Sequence, residues 1–546
     1  MIQGISSRLH LPKSHLASAC IINLVLYTVF LLLFTPLINN QEDAFALYIL
    51  GGGFGNPPSN LLHYDHIYHP WLTYLIKELF IAFPSFNWLT ITLLLFEFSG
   101  FTALLVSILK KENNWRGLLI YALLFFVFGS QYLLSIGINN TAAVLTIAAL
   151  SLLISKNSYA SKPIRIYICA FIFLILAALL RIHIVIFIVT FSLPLFISFQ
   201  KKKLNLLYLF LITTITILFL NQQHKAYYSK ADPEWPKEEK RRQSIYKFYN
   251  QPSLTDTTAS PMQTELLMVN KWLVWDTGFL SDNKLKKIKD ERQHYIKIHS
   301  NSSHTLENEW LKWQLINNKV YFITFLCLLI FYATKKLLYP LVITITGISF
   351  ITIFLVLHFK IPAYYFITVF FCLSVFTYLL SDKTQKYLYI KTTTFVLLSI
   401  WGCIIAWKKN SRNIHLNTVF KQTVAETSAA GNTIFLDTDN SFPIDYFRAL
   451  DLPADYPVIN VILFDHQHTF LYTEIFKRYN VSNFRELFQN KNLLLLGQPP
   501  STLPDYLLMN YGINMTISEP LTSFRNIEVR KFIIQQPLPA KEKDQR

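Results

Sequence analysis

Runs of about 18 or more apolar residues recur along this chain, and such runs have few folded destinations. In a bilayer each can close its own backbone hydrogen bonds as a helix. The sequence has 546 residues, of which 52% are hydrophobic and 15% charged. A soluble protein carries roughly 25% charged residues, so the balance belongs to a lipid-embedded chain. Its 45 phenylalanines and 29 tyrosines suit lipid-facing and interfacial surfaces. The fold class expected is a polytopic α-helical membrane protein with about eleven transmembrane helices and a C-terminal extracytoplasmic α/β domain. The apolar cores lie near 17–38, 86–108, 115–134, 139–155, 164–181, 184–199, 204–220, 318–334, 337–357, 362–380 and 388–407.

Lysine and arginine in the short loops set the orientation. One set of helix ends holds Arg8, Lys13, Lys110, Lys111, Arg116, Lys156, Lys162, Arg165, Lys201 to Lys203, Lys335, Lys336, Lys383 and Lys386. The other set holds little besides Lys77, Arg181 and Lys360. The first set marks the cytoplasmic side. The N-terminus is therefore expected inside and the C-terminus outside, in a cytoplasmic (inner) membrane. Frequent Ile, Lys, Asn and Phe suggest an AT-rich genome, and a bacterial source is expected, with a eukaryotic endoplasmic-reticulum protein as the alternative. The first apolar stretch is too long for a signal-peptide core and reads as a retained helix.

The same reading divides the chain. Residues 1–221 form an N-terminal membrane module with a first external loop at 39–85. Residues 222–316 form an extracytoplasmic loop holding five of the ten tryptophans, with an interfacial helix from Thr264 to Leu280. Residues 317–408 are C-terminal transmembrane helices. Residues 409–546 form a soluble α/β domain, with buried strands at Thr433–Asp437, Val458–Phe464 and Asn492–Leu496. Asp437, Asp439 and Asp445 near one strand end read as solvated loop carboxylates. The net charge of +17 sits largely in short loops, where it is a topology signal rather than a nucleic-acid footprint. The five cysteines all fall inside apolar segments, which excludes a disulfide framework and a CxxC metal motif.

The first external loop carries the chemistry. Glu42 and Asp43 follow the first helix directly, then comes a Gly/Pro turn cluster from Gly51 to Pro58. Next are His63, Tyr64, Asp65, His66, Tyr68 and His69, and an amphipathic segment from Trp71 to Phe83. Ionisable groups where a chain leaves a bilayer are functional candidates by default. An acid just after the first helix, an amphipathic helix in the same loop, many spans and an outer C-terminal domain together resemble the GT-C class of membrane glycosyltransferases. That resemblance implies a polyprenyl-phosphate-linked sugar as donor and a lipid-linked or envelope glycan as acceptor. It also implies a loop carboxylate as catalytic base or acceptor-orienting group. The long Gly/Pro and His/Tyr insert departs from that class.

The chemistry itself asks for the same parts. A lipid phosphate is already a good leaving group, so the reaction needs a base for the acceptor hydroxyl and cations for the departing phosphate. Asp43 is the expected base, with Glu42 second. Arg181, His183, His358 and Lys360 are the candidate cations for substrate binding. His63, Asp65, His66 and His69 are further substrate-binding candidates. They could ligate a divalent metal, but their spacing fits no standard zinc pattern, so no metal or cofactor is assigned. Glu97, within the second helix, is a functional candidate as an intramembrane acid, but reads better as a protonated group bonded to a neighbouring helix. Two other classes compete: a polysaccharide polymerase or ligase, which would rely on basic residues of the 222–316 loop, and a glycan flippase or transporter, which would need charges along several helices.

Overall fold

A computed structural model describes residues 15–38, 40–62, 68–155, 163–199, 203–237, 239–240, 318–358, 364–381, 388–439, 441–463, 472–524 and 527–534, with isolated positions between 281 and 290. Helix α1 (His15–Leu33) leads into the short strand β1 (Leu37–Ile38). Then come α2 (Gln41–Gly51), α3 (Pro70–Ala82) and α4 (Trp88–Lys111). Helix α5 (Trp115–Leu124) passes through a π-helical turn, Phe125–Gly129, into α6 (Ser130–Leu134). Strand β2 (Ser135–Ile136) is followed by α7 (Ile138–Ser155), α8 (Pro163–Phe199) and α9 (Lys203–Ala231). The second bundle segment holds α10 (Lys319–Tyr332), α11 (Lys335–His358), α12 (Tyr364–Leu380) and α13 (Leu388–Ala429).

Each apolar core expected from the sequence falls on one of these helices. Among the described residues, six helices are long and apolar enough to cross a bilayer, and three further apolar helices are shorter. The interfacial helix expected at Thr264–Leu280 lies outside the described residues.

Helix α7 is the axis of the bundle. All 18 of its residues are buried, the polar Asn139, Asn140, Thr141, Thr146, Ser151 and Ser155 among them. It packs between α4 and α8. The approach to α4 is close because Gly100 leaves room: a Cβ there would stand 2.7 Å from Val144 Cγ1. The N-terminus of α7 is fixed to the first loop by parallel pairing of β1 with β2, Leu37 opposite Ser135 and Ile38 opposite Ile136.

Helix α13 continues past Lys409, where the sequence reading starts the soluble domain, as far as Ala429. Buried asparagines at 410, 413 and 417 share one face of it. Asn410 Oδ1 accepts from the Thr35 amide at 2.6 Å. Asn413 Nδ2 donates to the carbonyls of Thr35 and Leu134, both at 3.0 Å. Asn417 Nδ2 donates to Tyr446 O at 3.1 Å. These amides satisfy backbone groups where α1 and α6 end and at Tyr446, so three distant segments meet on one helix.

Beyond α13 lies a mixed sheet. Strand β3 (Ile434–Asp437) runs parallel to β4 (Val461–Leu463) and to β5 (Leu493–Leu496). Helices α14 (Thr473–Arg478) and α15 (Phe484–Gln489) lie between β4 and β5. After α16 (Leu503–Tyr511) come β6 (Met515–Ile517), β7 (Thr522–Phe524) and β8 (Ile527–Ile534). Strand β8 pairs antiparallel with β5, β6 and β7. The parallel strands are apolar runs because both faces are covered. Asp437 is not the solvated carboxylate expected. It is fully buried, and its oxygens accept from the amides of Ser441 and Phe442, both at 2.9 Å. Those bonds offset its loss of water by closing the turn after β3.

The segment after β3 reaches back to the first loop. Ile38 N–H donates to Phe447 O at 3.1 Å, and Ala449 N–H to Pro36 O at 2.9 Å. Asn87, which caps α4, donates from Nδ2 to the carbonyls of Ala449 and Asp451, both at 2.9 Å.

Candidate active site

The site is built at the first turn of α2. Asn40 is extended and its Oδ1 accepts the Asp43 amide at 2.8 Å, which starts the helix at Gln41. Glu42 and Asp43 therefore fall in the first turn, where free amides favour carboxylates. Neighbours on a helix point about 100° apart, so the two acids separate. Asp43 turns inward and has no exposed surface. Glu42 keeps 35% of its side chain exposed and meets Arg181 Nη1 at 3.3 Å.

Both Asp43 oxygens are occupied. Oδ1 accepts from the Tyr68 hydroxyl at 3.4 Å, and Oδ2 from the Ile138 amide at 3.3 Å. Ile138 opens α7, so its N–H has no partner inside its own helix. The β1–β2 pairing brings that helix end to Asp43. Burial pushes the Asp43 carboxyl up from its ordinary 3.8 to about 7, and the charge of Glu42 adds to this. Arg181, the Ile138 amide and the Tyr68 hydroxyl pull the other way. A carboxyl poised near neutrality suits proton abstraction.

Arg181 stands where α8 breaks. Its backbone is extended, with φ −156° and ψ 103°, between two helical halves. The break leaves carbonyls of the preceding turn without helical donors. The first loop supplies them: Tyr68 N–H donates to Leu180 O at 2.9 Å and His69 N–H to Leu179 O at 2.7 Å. Thus the segment that covers Asp43 also fills the break that presents Arg181. Tyr68 takes φ 45°, a left-handed conformation rare for a bulky residue.

His69 is committed to the fold. Nδ1 accepts from the Trp71 amide at 3.3 Å and caps α3, so Nε2 carries the proton toward Leu220 O, 3.0 Å away. Burial holds its imidazole below the usual range. The C-terminal turns of helix α9 reach this loop: the Tyr227 hydroxyl accepts from Asn60 Nδ2 at 2.7 Å, and the Tyr228 hydroxyl from the Leu62 amide at 3.1 Å. Helix α3 buries Leu72, Ile76 and Phe80 and exposes Trp71, Tyr74 and Leu75, the two faces of an interfacial helix.

His183 is exposed, two positions beyond the break. His358 ends α11. His63, Asp65, His66 and Lys360 lie outside the described residues. Glu97 is fully buried and its Oε1 accepts from Thr141 Oγ1 at 3.0 Å, one turn along α7 from Ile138. Among the described residues no three His, Cys, Asp or Glu side chains group as metal ligands. Tyr68 and the Ile138 amide were missed by sequence reasoning. Tyr68 was visible as part of the aromatic cluster, whereas a backbone amide has no sequence signal.

No family model and no curated protein matches the chain. A solved structure does. The crystal structure of ArnT from Cupriavidus metallidurans in the apo state is similar to this chain over 93% of its length and 97% of its own. The identity is 11% and the TM-score 0.41.

Proposed function

We propose that the chain is an integral membrane glycosyltransferase. It moves a sugar from a polyprenyl-phosphate carrier to a lipid-linked glycan or cell-envelope acceptor on the extracytoplasmic face. The observation that carries this reading is the pairing of two unlike carboxylates at one helix start: buried Asp43, with a carboxyl near 7, and Glu42 bound to the cation at a helix break. Asp43 takes the proton of the acceptor hydroxyl as that oxygen attacks the anomeric carbon. Arg181 exchanges Glu42 for the donor phosphate and stabilises it as it departs. His183 is two residues away on the same helix and adds to the donor site. The exposed aromatic face of α3 lies in the headgroup layer, where a polyprenyl phosphate arrives from the bilayer. The loop 222–316 and the C-terminal domain face the same side.

The test is mass analysis of carrier lipids and surface glycans from a strain lacking the chain. A transferase leaves one sugar missing from the envelope and its carrier-linked monosaccharide accumulated. Unchanged carrier lipids with shortened polymers would sink this reading in favour of a polymerase.

A further inference from the structure

Asp43 is sealed as it stands, so an acceptor hydroxyl must take the place of something already bound to it. Each oxygen has one donor among the described residues. The Ile138 amide is part of the α7 backbone and cannot leave. The Tyr68 phenol can, because it hangs on two side-chain torsions while the Tyr68 backbone is held separately on Leu180 O. Its bond to Oδ1, at 3.4 Å, is long for an O–H donor. Its φ of 45° is the kind of backbone conformation that persists only where the surroundings impose it, and such residues cluster at functional sites.

We propose that Tyr68 is a specificity-determining residue: its hydroxyl stands where the acceptor hydroxyl binds on Asp43, and it shuts water out until an acceptor displaces it. The inference rests on the reading of Asp43 as base. In transfer, the acceptor O–H gives its proton to Asp43 Oδ1, the acceptor oxygen bonds to the anomeric carbon, and the bond to phosphate breaks with its electron pair leaving on polyprenyl phosphate. Water in the same place would move the same electrons and release free sugar, so a transferase must exclude it. Tyr68 does not itself become an acceptor. Burial and the charge of Asp43 hold its phenol proton far more tightly than usual.

The experiment uses the full-length chain in detergent with pooled polyprenyl-phosphate sugars extracted from bacterial membranes, and no acceptor. The wild-type chain should release little free sugar. Tyr68→Ala should release about tenfold more or above. Tyr68→Leu, which keeps the site packed with a shorter side chain, should release more than wild type. Tyr68→Phe removes the hydroxyl alone and vacates its place on Asp43 Oδ1, so it should release more than wild type and less than Tyr68→Ala. Adding Asp43→Asn to Tyr68→Ala should return release to baseline. A second measurement needs no substrate: dicyclohexylcarbodiimide should modify Asp43 faster in Tyr68→Ala than in wild type, read by peptide mass spectrometry. Equal modification rates would overturn the proposal, as would faster modification with no rise in sugar release. Full transfer by Asp43→Asn alone, with envelope lipids as acceptor, would instead remove the base reading and this inference with it.

Discussion

Arg181 and Glu42 lie 139 positions apart in sequence and meet at 3.3 Å where α8 breaks. The contact depends on the break itself. A continuous helix would keep the carbonyls of Leu179 and Leu180 for its own amides, leaving Tyr68 and His69 no place to dock. Kink, loop position and ion pair therefore stand or fall together.

Asp43→Asn keeps the shape of the side chain and removes its basicity. Transfer should fall by about 10² to 10⁴ with membrane insertion unchanged. Glu42→Gln should cost less, because Glu42 acts through Arg181. Rates of the two purified variants check this, and near wild-type transfer by both would end the catalytic reading of the loop.

The pH dependence follows from the Asp43 carboxyl near 7. As a base it works deprotonated, so kcat/KM should rise through about pH 7 and level off above it. The stability effect has the opposite sign. Folding raises this carboxyl from 3.8 to about 7, so the folded state opposes its ionisation. That penalty is absent below the lower value, grows between the two and is complete above the higher. Asp43→Asn should accordingly gain in thermal midpoint over the parent as pH rises from 4 to 7, and the gap should then stay constant. A gap that widened toward acid would contradict the burial of this group.

Arg181→Lys and Arg181→Ala separate charge from geometry. A guanidinium can bind phosphate through two donors, whereas an ammonium is a point charge. The alanine variant should raise KM for the donor and lower kcat. The lysine variant should retain part of both. Steady-state kinetics at varied donor concentration give the split; unchanged constants in both variants would remove Arg181 from the donor site.

Asn413→Leu probes the asparagine face of α13. It strips the carbonyls of Thr35 and Leu134 of a buried donor, at about 1–3 kcal/mol for each group left unpaired. The thermal midpoint should drop by several degrees. An equally stable variant would mean that water replaces the amide there.

The Lys/Arg alternation of the short loops predicts that the C-terminal domain lies outside, so alkaline phosphatase fused after it should be active in a bacterial host. Activity of a cytoplasmic reporter at that position would invert the topology and move the proposed site to the wrong face.

Much of this molecule could be read before any coordinates. Apolar runs marked the helices because a bilayer tolerates no unpaired backbone, and that rule leaves a mark on every turn. The sequence even parted the runs at 164–181 and 184–199 where α8 breaks. Strands β3, β4 and β5 were visible as short apolar runs; β8 was passed over, because its charged residues interrupt the apolar pattern. Glu42 and Asp43 stood out as acids at a membrane exit. Tertiary structure alone decided which of them is buried, since helix phase depends on where Asn40 starts the turn. It alone joined Asp43 to Tyr68 and to an amide 95 positions away, and Asn413 to two distant helix ends. The contacts to Ile138, Thr35 and Leu134 run to backbone groups, which every residue carries alike, so no letter of the sequence could announce them.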